Sequence, residues 1–181
     1  MARRVTVILT AMFAATWVAG CKSTASQRSP TDPHGLVWFE NFEQAQAEAA
    51  RTGHVMLLNF TGSDWCGWCI RLHDEVFSQA AFVDYARANL LLVKLDFPRN
   101  RSLSAETKQQ NDALAKRFGV RAFPTILLLS PEGKVLGRTG YKRGGAAKYV
   151  AHLKPFIDRY QPPAKPTSAP AKKTQDNGKK R

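Results

Sequence analysis

One stretch limits this chain more than any other. The apolar run His54-Val55-Met56-Leu57-Leu58-Asn59-Phe60 reads as a buried strand, and Thr61-Gly62-Ser63 carries the chain from it to Trp65-Cys66-Gly67-Trp68-Cys69. Beyond Cys69 the residues Leu72, Val76, Phe77, Ala80, Phe82 and Val83 recur at near-helical spacing, with a break expected near Ser78. Two thiols three residues apart thus stand where a strand gives way to a helix. Unpaired backbone N–H groups and the helix dipole at such a junction favour a negative thiolate at Cys66. Cys69, one turn further in, is placed to attack a mixed disulfide formed at Cys66.

The chain of 181 residues has only three cysteines. The third, Cys21, follows a cationic start at Arg3 and Arg4 and an apolar stretch from Val5 to Val18, which reads as a targeting segment over residues 1–20. The junction Val18-Ala19-Gly20-Cys21 resembles the lipobox of bacterial lipoproteins. By that resemblance Cys21 becomes the lipidated first residue of the mature chain, and the protein is held on a membrane by acyl chains, each buried methylene adding about 0.8 kcal/mol. An ordinary signal peptide and a spanning anchor are the other readings. With Cys21 lipidated, Cys66 and Cys69 have no partner but each other, which excludes a multi-disulfide framework. Outside the cytoplasm, where disulfides persist, a lone vicinal pair points to redox exchange.

Residues 21–36 are rich in Ser, Thr, Gln and Pro and are expected to form a flexible tether. Residues 161–181 form a basic Pro-, Ala- and Lys-rich tail of disorder-like composition. The formal charge of +13, from 27 Lys and Arg against 14 Asp and Glu, lies largely in the two ends, which argues against nucleic acid as a partner. The folded domain is expected over 37–160. Its pattern predicts helices at Asn41–Arg51, from the cysteines onward, at Glu106–Phe118 and at Gly145–Tyr160. Strands are expected at His54–Phe60, Leu90–Phe97, Phe123–Leu129 and Val135–Arg138, the last two forming a hairpin about Pro131-Glu132-Gly133-Lys134. The expected class is α/β, a mixed central sheet with helices on both faces.

Trp-Cys-x-x-Cys after a buried strand, followed by Arg121-Ala122-Phe123-Pro124-Thr125, resembles the thioredoxin superfamily. The run from Phe60 to Cys69 looks especially like exported bacterial thioredoxin-like proteins. The resemblance covers roughly Val37 to Tyr160. It implies a thioredoxin-like fold, a thiol–disulfide oxidoreductase with Cys66 as nucleophile and Cys69 as resolving thiol, and a cis Pro124 packed beside them. Trp65, Gly67, Trp68, Phe123, Pro124 and Thr125 would frame the substrate. No cofactor or metal is expected beyond the redox-active disulfide. The implied partners are disulfide- or thiol-containing exported proteins or small molecules and a redox partner, met by a monomer in the cell envelope, facing the periplasm or cell surface.

The chain also departs from that family. Thioredoxins carry a buried Asp before the cysteines; the matching residue here is Asn59, and an amide cannot act as a base at neutral pH. Asp64, Glu75 or water are the candidates to replace it. Gly67-Trp68 stands where thioredoxins have Gly-Pro, which leaves the redox direction open. A polar, basic insertion at Pro98–Ser104 offers a partner surface. Zinc at Cys66, Cys69 and His73 lacks a second ligand pair, and haem attachment fails because Ile70, not His, follows Cys69. His73 is expected on the helix surface, with tuning of the thiolate as its other reading. A structural bridge over so short a loop would constrain the unfolded chain little. A thioredoxin-like module that binds an envelope partner without turnover is the alternative function.

Overall fold

The computed structural model describes residues 31–160. The expected targeting segment, Cys21 and the tail at 161–181 lie outside the described residues. The elements run β1 (Trp38–Phe39), α1 (Phe42–Thr52), β2 (Val55–Thr61), α2 (Gly67–Leu72) continued by a π-helical turn (His73–Phe77), α3 (Ala80–Asn89), β3 (Leu90–Asp96), α4 (Ala105–Arg117), β4 (Thr125–Leu129), β5 (Val135–Thr139) and α5 (Gly145–Ile157). The sheet has five strands in the order β1-β3-β2-β4-β5. β1 and β2 run parallel to β3, while β4 is antiparallel to both β2 and β5. This is the expected mixed α/β sheet.

Local chemistry sets the helix ends. Asn41 Oδ1 accepts the amide of Gln44 at 2.9 Å, and Gly53 closes α1 in the left-handed region at φ 78°, which costs a glycine nothing sterically. Ser104 Oγ caps α4 by accepting the Thr107 amide at 3.2 Å. The break expected near Ser78 is present: the Ser78 amide donates to His73 O at 2.9 Å, five residues back, and α3 starts afresh at Ala80.

Each central strand alternates its side chains between two cores. Leu57, Leu92, Ile126 and Leu128 pack on one face with Leu72, Val76, Phe77, Phe82, Tyr149 and Leu153. Met56, Leu58, Phe60, Leu91, Val93, Leu95, Leu127 and Leu129 meet Phe42, Ala45, Ala49 and Leu114 on the other. Such two-sided burial explains why β2 reads as a continuous apolar run, and each large side chain buried contributes about 1.5–3 kcal/mol.

The structure departs from these expectations in its details. Strand β1 is an addition, two residues long and too short for any periodicity to reveal; Trp38 and Phe39 pair with Leu92 and Val93. Of the tether expected over 21–36, residues from Thr31 onward are described. Asp32 accepts the amides of His34 and Leu36 at 2.9 Å each and the Trp38 indole N–H at 3.1 Å, and Leu36 is buried. The last helix stops at Ile157, where Asp158 and Tyr160 close in turns. Among the described residues no helix is long and apolar enough to cross a membrane.

Candidate functional site

At the end of β2 the chain turns at Gly62, whose carbonyl accepts the Cys66 amide at 2.9 Å. Cys66 then sits at the N-cap of α2 in extended conformation, φ −85° and ψ 101°, and its Sγ accepts the Cys69 amide at 3.3 Å. Cys66 and Cys69 form a disulfide with Cα atoms 5.2 Å apart. Their exposures, 7% and 5%, hardly differ, so depth does not distinguish the two sulfurs. Position does: only Cys66 Sγ receives a helix-terminal N–H, which lowers the cost of negative charge there. Two electrons and two protons convert this bond to a dithiol, which can exchange with another disulfide.

The sequence-predicted framing residues take different places: Trp68, Phe123 and Pro124 share one groove, and Trp65 and Thr125 lie outside its lining. Trp68, between the cysteines, is 48% exposed and lies 5.2 Å, centroid to centroid, from Tyr141. These rings, with Phe123, Pro124 and Arg143, line a groove of about 390 Å³. The Phe123–Pro124 peptide is cis. Gly67 is exposed, with open space where a side chain would stand. Trp65 is half-buried and edge-on to Phe123 at 6.0 Å. Thr125 is buried, and its hydroxyl donates to Ala122 O at 2.7 Å, bracing the loop before Pro124.

Trp65 belongs to a brace between the redox turn and the segment after β3. Its indole N–H donates to Phe97 O at 2.7 Å, and the Arg99 guanidinium lies 3.8 Å from its ring centroid. Asp64 accepts the amides of Arg99 and Asn100 at 3.0 and 2.7 Å. Asp96, buried, accepts the Ser63 amide at 3.0 Å, the Ser63 hydroxyl at 2.6 Å and Arg101 at 2.6 Å, with Lys94 at 3.7 Å. Burial opposes ionisation of Asp96, yet the Ser63 bonds, Arg101 and Lys94 outweigh it and hold the carboxyl below the usual range. The basic insertion at Pro98–Ser104 is therefore the outer half of this brace. Sequence reasoning missed Asp96, Ser63 and Tyr141; a lone acid ending an apolar strand was the available signal for Asp96, whereas nothing local marks Tyr141.

Behind Cys69 lies a cavity of about 340 Å³ whose lining includes Asn59, Lys94, Glu40, Asp32, His73 and Asp74. Asn59 is buried and its Oδ1 has no hydrogen-bond partner. Neither Asp64 nor Glu75 takes the missing acid's place in this lining. The Arg99 amide bond first, with the Asn100 amide, holds Asp64 in its charged form below the usual range. Glu75 accepts the Tyr141 hydroxyl at 2.5 Å and pairs with Arg71 at 3.4 Å. His73 is exposed on the helix surface, with Nδ1 3.0 Å from Asp74. Among the described residues no three His, Cys, Asp or Glu groups cluster as metal ligands.

Comparison with known proteins places these features in a family. Residues 42–154 match the Thioredoxin-like domain. The chain is 34% identical over 128 residues to the Disulfide bond reductase DsbH of Chlamydia pneumoniae, covering 71% of this chain and 76% of that protein. It is 28% identical over 109 residues to the Thioredoxin-related protein DsbJ of Chlamydia pneumoniae, covering 60% of this chain and 31% of that protein. Among solved structures, the DsbH oxidoreductase superimposes with a TM-score of 0.66 at 30% identity, covering 78% of this chain and 94% of the other. A thioredoxin from Thermus thermophilus shares the fold at a TM-score of 0.51 and 20% identity, over 66% of this chain and 85% of its own. With more than half its length matched to that domain and its sulfurs at the N-terminus of α2, this chain belongs to the thioredoxin-like family.

Proposed function

We propose that this protein is a thiol–disulfide oxidoreductase that acts as a reductant on disulfides of exported proteins. The observation that carries the reading is Cys66 Sγ at the N-cap of α2, accepting the Cys69 amide beside the groove of Trp68, Pro124 and Tyr141. In the dithiol form the Cys66 thiolate attacks one sulfur of a substrate disulfide. A Cys66–substrate S–S bond forms, the substrate's own S–S bond breaks, and the departing sulfur leaves as a thiolate that takes up a proton. Cys69, having lost its proton, then attacks Cys66 Sγ. The Cys66–Cys69 bond forms and the second substrate thiolate departs. The substrate has gained two electrons and the protein has lost two, so an external dithiol must return them.

The reducing direction rests on similarity to a protein called a disulfide bond reductase. The exported, lipid-anchored state rests on Val18-Ala19-Gly20-Cys21 and on the basic, apolar segment before it. Cys21 then tethers the domain to a membrane of the cell envelope, where exported substrates meet it.

The test is the equilibrium potential of the Cys66–Cys69 pair against a graded dithiol buffer, read by mass-tagging of free thiols. A value near about −270 mV supports a reductant, and one near about −120 mV would make the protein an oxidant instead. A pair that does not cycle at all refutes the redox reading.

A further inference from the structure

The groove beside the sulfurs carries unbalanced charge. Arg143 lines it together with Trp68, Phe123, Pro124 and Tyr141, and Lys142 stands exposed next to it in sequence. Arg121, exposed, begins the short loop that leads to Phe123 and Pro124. The Arg71 guanidinium lies 5.5 Å from the Trp68 ring centroid, and Arg99 lies 3.8 Å from that of Trp65, so the two tryptophans around the redox turn each bear a cation.

The acids on this face are already engaged. Glu75 accepts the Tyr141 hydroxyl and pairs with Arg71, while Asp64 is bound by the backbone amides of Arg99 and Asn100. Among the described residues no ion pair involves Arg99, Arg121, Lys142 or Arg143. The hydrogen bond to Glu75 holds the Tyr141 hydroxyl above its ordinary range, and Arg71 and Arg143 act against it, so both cations lie within reach of the groove. Cations left unmatched around an aromatic-walled opening attract a partner of opposite sign and speed its encounter.

We propose that this face selects disulfides whose cysteine lies in an acidic, extended segment. The inference rests on the oxidoreductase reading above and adds to it the chemistry of the substrate. Trp68 and Tyr141 provide apolar walls for such a segment, and an extended chain advances about 3.3 Å per residue, so an Asp or Glu two or three residues from the cysteine reaches the surrounding arginines.

The experiment uses the reduced full-length protein and two synthetic peptides, each closed by one disulfide and alike except for the residues flanking the cysteines, Asp and Glu in one and Lys in the other. Neutral hydroxyethyl disulfide is the reference substrate. At low salt the acidic peptide is expected to be reduced about ten-fold faster than the basic one, and the ratio is expected to fall toward one at about 0.5 M salt. Charge reversal by Lys142→Glu with Arg143→Glu should bring the ratio below one. Equal rates for the two peptides, or a ratio unmoved by salt or by charge reversal, overturn the proposal and leave the redox reading standing. No reduction of either peptide or of hydroxyethyl disulfide overturns the redox reading itself. Equal peptide rates together with binding to phosphatidylglycerol vesicles that charge reversal abolishes would assign the face to a membrane surface and also refute the proposal.

Discussion

Replacing Asp96 with Asn tests whether the brace stabilises the fold. The wild-type carboxylate sits at 3% exposure and accepts three hydrogen bonds, two from Ser63 and one from Arg101. Asparagine preserves the shape and one acceptor oxygen but removes the charge. It also turns an NH₂ group toward donors that need an acceptor. Arg101 is 47% exposed and can turn to water, so the loss falls below the ~3–5 kcal/mol of a fully buried broken pair. Hydrogen bonds to charged groups are worth about 1.5–3 kcal/mol, which sets the expected destabilisation at about 2–3 kcal/mol, or a Tm lower by roughly 10 °C. The pH dependence supplies a second check. The Asp96 carboxyl has a folded-state pKa depressed below its ordinary value, so its contribution is present above about pH 4 and is lost as pH falls through the folded pKa. Urea unfolding of both proteins from pH 7 to pH 2 should therefore show wild type losing its advantage below about pH 4, with the two curves converging. A variant within ~0.5 kcal/mol of wild type at pH 7, or a gap that does not narrow as pH falls below about 4, would refute the argument.

Three further outcomes follow from the site. Cys69→Ser should accumulate a mixed disulfide between Cys66 and substrate, visible as a reductant-sensitive band on a gel, and Cys66→Ser should form none; trapping by the second variant would reverse the assigned roles. Gly62→Ala should destabilise by about 1–3 kcal/mol and alter tryptophan fluorescence, because the added Cβ would meet the Trp65 ring at 2.5 Å while Phe97 and Arg99 hold that ring in place. Asn59→Leu should raise stability by about 1 kcal/mol in denaturant titrations, since it removes a buried oxygen that has no partner; a loss of stability would mean that Oδ1 is satisfied in solution.

The local features of this chain were legible because short-range physics writes them. The apolar run of β2, the helix expected at Asn41–Arg51 and the break at Ser78 each depend on neighbours a few residues away. The brace was not legible, because its partners are separated by 32 residues at Trp65 and Phe97 and by 33 at Ser63 and Asp96. For the same reason Asp64 was open to reading as a spare base, until the amides of Arg99 and Asn100 showed what it binds. Strand β1 escaped notice because two residues carry no period.

What joins the distant pairs is the register of two parallel strands. The β2–β3 ladder runs from Val55 opposite Leu90 to Thr61 opposite Asp96, and the Phe97 amide continues it by donating to Thr61 O at 2.8 Å. Both strands thus end at the same edge of the sheet, where β2 enters the redox turn and β3 enters the brace. A slip of one residue would move every side chain of β3 to the opposite face, taking Asp96 from Ser63 and stranding Leu92 and Leu95 in the wrong cores. The apolar packing on the two faces forbids that slip. The same residues that bury the sheet therefore fix Asp96 and Phe97 against Ser63 and Trp65, and through that turn they fix where Cys66 begins its helix.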